Sequence, residues 1–82
     1  MKRINWIIGV NKIAGNTVDD GVLHYNEPLQ IFLDGALLQP GIDYTFDPAF
    51  TETLGRLDFS NISGLSNTQK LTLFFSCELY TS

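Results

Sequence analysis

Apolar residues along this chain recur at a step of two rather than three or four. Ile4, Trp6, Ile8 and Val10 alternate with Asn5, Ile7 and Gly9. That spacing predicts an opening strand with one strongly apolar face. Leu29, Ile31 and Leu33 repeat the pattern, and Asp34-Gly35 follows at once. A two-residue type I′ turn needs positive φ at both central positions, which Asp-Gly accepts, so a hairpin is predicted here. "ALLQ", residues 36–39, then returns antiparallel. Pro40-Gly41 fits the centre of a type II turn, with proline presetting φ and glycine taking the positive value. "IDYTF", 42–46, reads as the next strand, with Ile42, Tyr44 and Phe46 inward and Asp43 and Thr45 outward. Residues 31–46 thus predict three short strands joined by two tight turns, a β-meander.

The flanking segments continue in the same vein. "VLHY", 22–25, reads as a short strand closed by "NEP", and the turn-rich residues 11–21 as a loop or loose hairpin. Residues 47–55 read as a loop, because Pro48 cannot donate to a ladder. "RLDF", 56–59, is a short strand with Leu57 and Phe59 inward. Residues 60–69 form a polar connection with room for one helical turn. The closing strand places Leu71, Leu73, Phe75, Cys77 and Leu79 on one face, and Lys70, Thr72, Phe74, Ser76, Glu78 and Tyr80 on the other. No segment sustains a period of 3.6. The predicted fold is all-β: a small antiparallel β-sandwich or partly open barrel of six to seven short strands. It forms a single domain over residues 1–82, with an N-terminal strand or arm at 1–15 and a meander core at 28–80.

Composition narrows the function classes. The chain has 82 residues, 44% hydrophobic and 17% charged, an ordered, globular composition. A chain of this length buries only ~60–65% of the surface its unfolded state exposes, so its own core is limited. A net charge of -4 with five basic residues argues against nucleic acid, whose binding rests on Lys and Arg facing phosphates. No apolar run approaches the ~20 residues of a membrane span, and no membrane association is expected. "MKRINWIIGV" places a basic pair before an apolar run, but the run is short and Asn5 interrupts it; a first strand is the expected reading rather than a signal peptide. One cysteine, Cys77, excludes an internal disulfide and, on an apolar strand face, reads as a buried structural thiol.

Candidate chemistry is sparse. His24 is the sole histidine, so a single chain cannot assemble a His-based metal cluster or a Ser-His-Asp arrangement; it reads as a half-exposed strand residue. Asp19-Asp20-Gly21 offers calcium-type oxygens, but at a spacing that matches no EF-hand loop. Asp43, Asp47, Glu52 and Asp58 are the carboxylates available for acid–base pairing, and Asp43 and Asp58 fall on outward strand faces where solvated side chains are ordinary. There is no phosphate-binding glycine motif. Asn61-Ile62-Ser63 matches a glycosylation sequon. Trp6, Tyr25, Phe50 and Tyr80 are the stacking residues that a receptor- or carbohydrate-binding module would use, with Trp6 read as core or interface. The expectation is a protein without cofactor or enzymatic activity.

"IFLDGALLQPGIDYTF", followed by "GRLDFS" and "LTLFF", resembles a β-module of tailed-bacteriophage virion proteins. Its pattern is a strand ending in "FLNG", then "LL", then "PGxDYT", a short strand ending in Phe, and a final alternating strand. Leu37, Leu38, Pro40, Gly41, Asp43 and Tyr44 match directly, and Asp34-Gly35 stands where Asn-Gly is usual. The resemblance spans roughly residues 28–76. Such modules sit within longer tail-fibre or tail chains, whereas here the module fills most of the chain. The resemblance therefore implies a non-enzymatic virion part made in the host cytoplasm: a capsid decoration protein first, and a tail-fibre, neck or tail component second. Its implied partners are major capsid or tail proteins and further copies of itself, with a trimer ahead of a dimer. The expected interface carries Trp6, Ile7, Phe74 and Tyr80, with residues 1–10 at or near the contact.

Overall fold

A computed structural model describes residues 2–11, 16–59, 61–62 and 65–76, with side chains of the first stretch up to Gly9. Cys77, Leu79 and Tyr80 lie outside the described residues, as does the Val10 side chain. Seven strands form among those described: β1 (Lys2–Ile7), β2 (Thr17–Asp20), β3 (Gln30–Leu33), β4 (Ala36–Leu37), β5 (Thr45–Asp47), β6 (Gly55–Asp58) and β7 (Lys70–Phe75). They build two antiparallel sheets, one ordered β1-β7-β3-β4 and the other β2-β6-β5. Neither closes on itself, so the predicted all-β class holds as an open sandwich rather than a barrel. Trp6, Ile31, Leu71, Leu73 and Phe75 from the first sheet meet Val18 and Leu57 from the second in one buried cluster, joined by Leu23, Leu38, Tyr44 and Phe59. Burial, with the Glu27 charge second, raises the Tyr44 phenol above its ordinary 10.0.

Both predicted tight turns are present. Asp34 (φ 50°) and Gly35 (φ 85°) both take positive φ between the paired residues Leu33 and Ala36, as a type I′ hairpin requires. The Asp34 side chain also ties this turn to β7: its Oδ1 accepts from the Lys70 amide at 2.9 Å and its Oδ2 from Gln69 Nε2 at 3.1 Å. Gly41 has φ 79°, and the Ile42 amide donates to the Gln39 carbonyl at 3.2 Å, closing the type II turn at Pro40-Gly41. Asp43 Oδ2 accepts from the Gln39 amide at 2.7 Å, locking the same loop from the other side. Gly35→Val is expected to cost roughly 1–3 kcal/mol, because a β-branched residue is strained at positive φ. Asp34→Asn keeps the left-handed tolerance and an acceptor for Lys70, so it is expected to stay within about 1 kcal/mol of the parent. Urea titrations of both variants check this; equal stability of Gly35→Val and the parent would remove the turn assignment.

Several expectations need correction. The meander is not one sheet. β4 stops after two residues, and the Pro-Gly turn carries the chain across to the second sheet, where β5 pairs with β6. Across the turn itself there is an isolated Pro40–Tyr44 bridge rather than a strand ladder. Ile42 is therefore 63% exposed on the loop rather than inward, while Tyr44 is buried as expected. Leu29 precedes β3 and is 56% exposed, so it does not share the core face of Ile31. β1 ends at Ile7, and Ile8–Asn11 form one helical turn, α1; the Ile8 amide still reaches the Gln69 carbonyl in the β1–β7 register, and the Gly9 amide steps off it to the Asn67 carbonyl. Thr17–Asp20, read as loop or loose hairpin, is β2. Gly21–Leu23 is a 3₁₀ turn rather than a strand, because Asp20 caps it by accepting from the Val22 amide at 2.8 Å. The neighbours Leu23 and His24 are both buried, which departs from the one-sided burial of a strand with one face to solvent. In the connection 60–69, the described residues show turns at Asn61 and at Asn67–Thr68, and no helix.

Candidate interaction face

Strand register decides which side chains reach the outside of each sheet. On β7, Leu71, Leu73 and Phe75 are buried, so Lys70, Thr72 and Phe74 point outward. Their partners outside the core are Ile7, Asn5 and Arg3 on β1, and Phe32 and Gln30 on β3. Phe32 pairs in turn with Leu37 on β4. Leu37, Phe32 and Phe74 thus form a continuous apolar row across three strands. The Phe32 and Phe74 rings meet edge to face at 5.7 Å, a favourable aromatic geometry. Leu37 is 53% exposed. Just before β3, Leu29 donates its amide to the Phe74 carbonyl at 2.7 Å. Arg3 and Lys70 stand at opposite ends of this face, separated by Asn5 and Thr72, which bond to each other at 2.9 Å.

The outer face of the other sheet has the opposite character. Val18, Leu57 and Phe46 share the inward register, so Asp19, Arg56 and Asp47 align across the outside, as do Thr17, Asp58 and Thr45. Arg56 grips Asp19 through two bonds, Nε to Oδ1 at 2.6 Å and an NH2 group to Oδ2 at 2.8 Å. This pairing first holds the guanidinium above its ordinary range; burial, second in size, opposes it, and the charges of Asp19, Asp58 and Asp47 add to the rise. One face is therefore apolar with basic ends, and the other acidic, polar and solvated.

The residues expected at an interface divide as follows. Ile7 and Phe74 lie on the outer face of the four-stranded sheet. Trp6 points the other way, is 9% exposed and belongs to the core; as an interface residue it is corrected. Tyr80 lies outside the described residues. Phe32 and Leu37 belong to the face and were not anticipated, although they follow from the hairpin: a two-residue turn after Leu33 pairs Phe32 with Leu37, on the face opposite Ile31. β1 is committed to its own sheet along all six residues, so it is not an arm free to join a neighbour.

The other candidates are dispersed. His24 is buried beside Tyr25, with ring centroids 4.4 Å apart, which corrects the half-exposed strand reading. Asp19 is engaged by Arg56 and Asp20 caps the 3₁₀ turn, so both members of the acidic pair have structural partners. Asp43 closes the Pro-Gly loop, Asp47 and Asp58 lie on the outer face of the three-stranded sheet, and Glu52 lies in the loop between β5 and β6. Asn61 donates its side-chain amide to the Ile42 carbonyl at 2.7 Å, and Ser63 of its sequon lies outside the described residues. Comparison of the chain with protein-family models, curated proteins and solved structures finds no match in any of the three.

Proposed function

We propose that this chain is a non-enzymatic structural protein of a phage virion, a small capsid decoration protein that docks through the outer face of its four-stranded sheet. The apolar row Leu37–Phe32–Phe74 carries this reading. An apolar strip on a solvent-facing sheet surface costs free energy until a partner covers it, and a domain this small gains most from such a contact. The resemblance to virion β-modules supplies the setting. Arg3, paired with Phe74, and Lys70, at the other end of β7, give the face a basic residue at each end, so the partner surface that fits is an apolar patch edged with acidic side chains. Self-association is part of the same proposal: β1 is an edge strand of the sheet, and a further copy, in a trimer ahead of a dimer, would meet residues 1–10 along that edge.

Phe32→Ser with Leu37→Ser is the test. Both positions face away from the core, so the double variant is expected to keep its far-ultraviolet circular dichroism. Its co-sedimentation with particles lacking the protein is expected to weaken at least about tenfold, the equivalent of losing roughly 1.4 kcal/mol of contact. Raised salt should weaken the parent as the basic rim is screened. A folded double variant that binds particles as well as the parent would sink the proposal. Copy number per particle on a stained gel separates a decoration protein, present in numbers set by the capsid lattice, from a tail part present in a few copies.

A further inference from the structure

Away from that face, the loop between β5 and β6 folds against the turn that follows the 3₁₀ segment and leaves an open groove of about 590 Å³, lined by His24, Tyr25, Ala49, Phe50, Thr51 and Glu52. Small-molecule sites fall in this size range. We infer that this groove binds a neutral saccharide ring, which stacks on Phe50 and Tyr25 and donates a hydroxyl to the Glu52 carboxylate.

Two aromatic side chains reach the groove, and each is held in place from behind. Phe50 has one ring face covered by the Arg56 guanidinium, 3.5 Å from its centroid, and Arg56 is fixed by its two bonds to Asp19. The ring nevertheless remains 41% exposed. A ring backed on one face and open on the other is a platform, not a core residue. Tyr25 is 55% exposed and takes φ 59°, a left-handed conformation uncommon for an aromatic residue. Its amide donates to the Pro48 carbonyl at 3.0 Å, which binds the two sides of the groove together. Such strain persists only where the surroundings enforce it, and it clusters at ligand-contacting positions.

The loop itself is also tied down. Thr51 Oγ1 accepts from the Thr53 amide at 3.2 Å and the Leu54 amide at 2.9 Å. The Thr51 amide donates to the Leu54 carbonyl at 3.1 Å, and the Ala49 amide to Asp47 Oδ1 at 3.1 Å. A groove built this way loses little conformational freedom on binding.

Electrostatics select the ligand. Arg56, the cation next to the groove, is already paired with Asp19, and the groove carries the Glu52 carboxylate. An anionic ligand meets repulsion without a compensating partner. A cation fares poorly on Phe50, because the guanidinium on its far face already draws on the ring's electron density. A pyranose suits both demands: its axial C–H face is apolar, and its hydroxyls are donors to a carboxylate.

The test is an amide NMR titration of the whole chain with methyl β-glucoside, methyl β-galactoside and N,N′-diacetylchitobiose as neutral probes, and with N-acetylneuraminic acid and choline as charged ones. Shifts confined to His24, Tyr25 and residues 49–52 with at least one neutral probe, and weaker binding of both charged probes, are expected. Phe50→Leu keeps an apolar side chain under Arg56, so its spectrum should remain dispersed while affinity falls at least about tenfold. Glu52→Gln should lower affinity less, by several-fold, since an amide still accepts a hydroxyl. Absence of groove shifts with every neutral probe into the millimolar range would overturn the inference. So would stronger binding of a charged probe, or undiminished affinity in a folded Phe50→Leu. Each readout is independent of particle attachment, so this inference and the docking proposal fail separately.

Discussion

Phe59→Ala is expected to destabilise the domain by about 3–5 kcal/mol, the cost of deleting a large ring from a packed core. Phe59 directly follows β6 and is fully buried. Its ring packs on Tyr44 at a centroid distance of 6.0 Å. Its amide donates to the Asn16 carbonyl at 2.7 Å, and its carbonyl accepts from the Ile62 amide at 2.8 Å. The residue is thus pinned by its backbone at the point where the chain leaves the second sheet, and little can move in to fill the space. Natural domains have only ~5–15 kcal/mol of stability in total, and a domain of this length sits toward the lower end. The urea midpoint should therefore fall steeply, with the slope unchanged if only stability has altered. Phe59→Leu, which leaves a smaller cavity, should cost clearly less. A Phe59→Ala loss below about 1 kcal/mol would mean that the core is not packed as described.

Gly55→Ala is expected to have the second large effect, although it adds one methyl group. Gly55 opens β6, opposite Asp20 on β2. A Cβ there would strike the Leu23 carbonyl and lie 2.8 Å from Leu23 Cβ. The obstacle is backbone rather than the tip of a flexible side chain. Relief requires the 3₁₀ turn to lift away, which withdraws Leu23 from the core and loosens the Tyr25 side of the groove. The cost should reach or exceed the upper end of the ~1–3 kcal/mol typical of overpacking. Hydrogen exchange should accelerate at His24 and Asn26, whose amides donate to the Gly21 and Leu23 carbonyls. Gly21→Ala is the control, since its Cβ would meet nothing closer than the Thr53 carbonyl at 3.5 Å; it should stay within about 0.5 kcal/mol of the parent. Equal effects of the two substitutions would contradict the close approach.

What the chain discloses before folding is set by how local the determining interaction is. Asp34-Gly35 and Pro40-Gly41 were legible because backbone φ preferences of two adjacent residues decide them. The inward side chains of β6 and β7 were legible because alternation runs unbroken through Leu57, Phe59, Leu71, Leu73 and Phe75. β2 was not, since Thr17-Val18-Asp19-Asp20 has a single apolar residue, and its strand character comes from pairing with β6 and from the Arg56–Asp19 clasp 37 positions away. "VLHY" has the β-branched and aromatic content of a strand, but the Asp20 cap and the joint burial of Leu23 and His24 override that preference. Turn chemistry also fixes where a chain reverses without fixing which sheet receives it, and so the predicted meander divides between two.

The same distinction governs the candidate sites. Ile7 and Phe74 fall on the outer face by alternation alone. Placing Phe32 beside them needed only the hairpin register carried one residue further. Tyr25 and Phe50 were grouped from the sequence with Trp6 and Tyr80 as stacking residues of a binding module, but that these two alone line one groove was beyond reach, since it depends on the amide of Tyr25 finding the Pro48 carbonyl.

β7 lies between β1 and β3, and among the described residues the chain supplies it after the six other strands. On a ribosome, the emerging polypeptide would therefore hold β1 and β3 without the strand that unites them. Neither could complete the larger sheet until Phe75 cleared the exit tunnel. Assembly from such sequence-distant pairings is slow relative to local hairpin closure, and the unpaired edges of β1 and β3 would meanwhile be open to neighbouring nascent chains. The yield of folded protein should therefore respond to translation speed near the codons for residues 60–75.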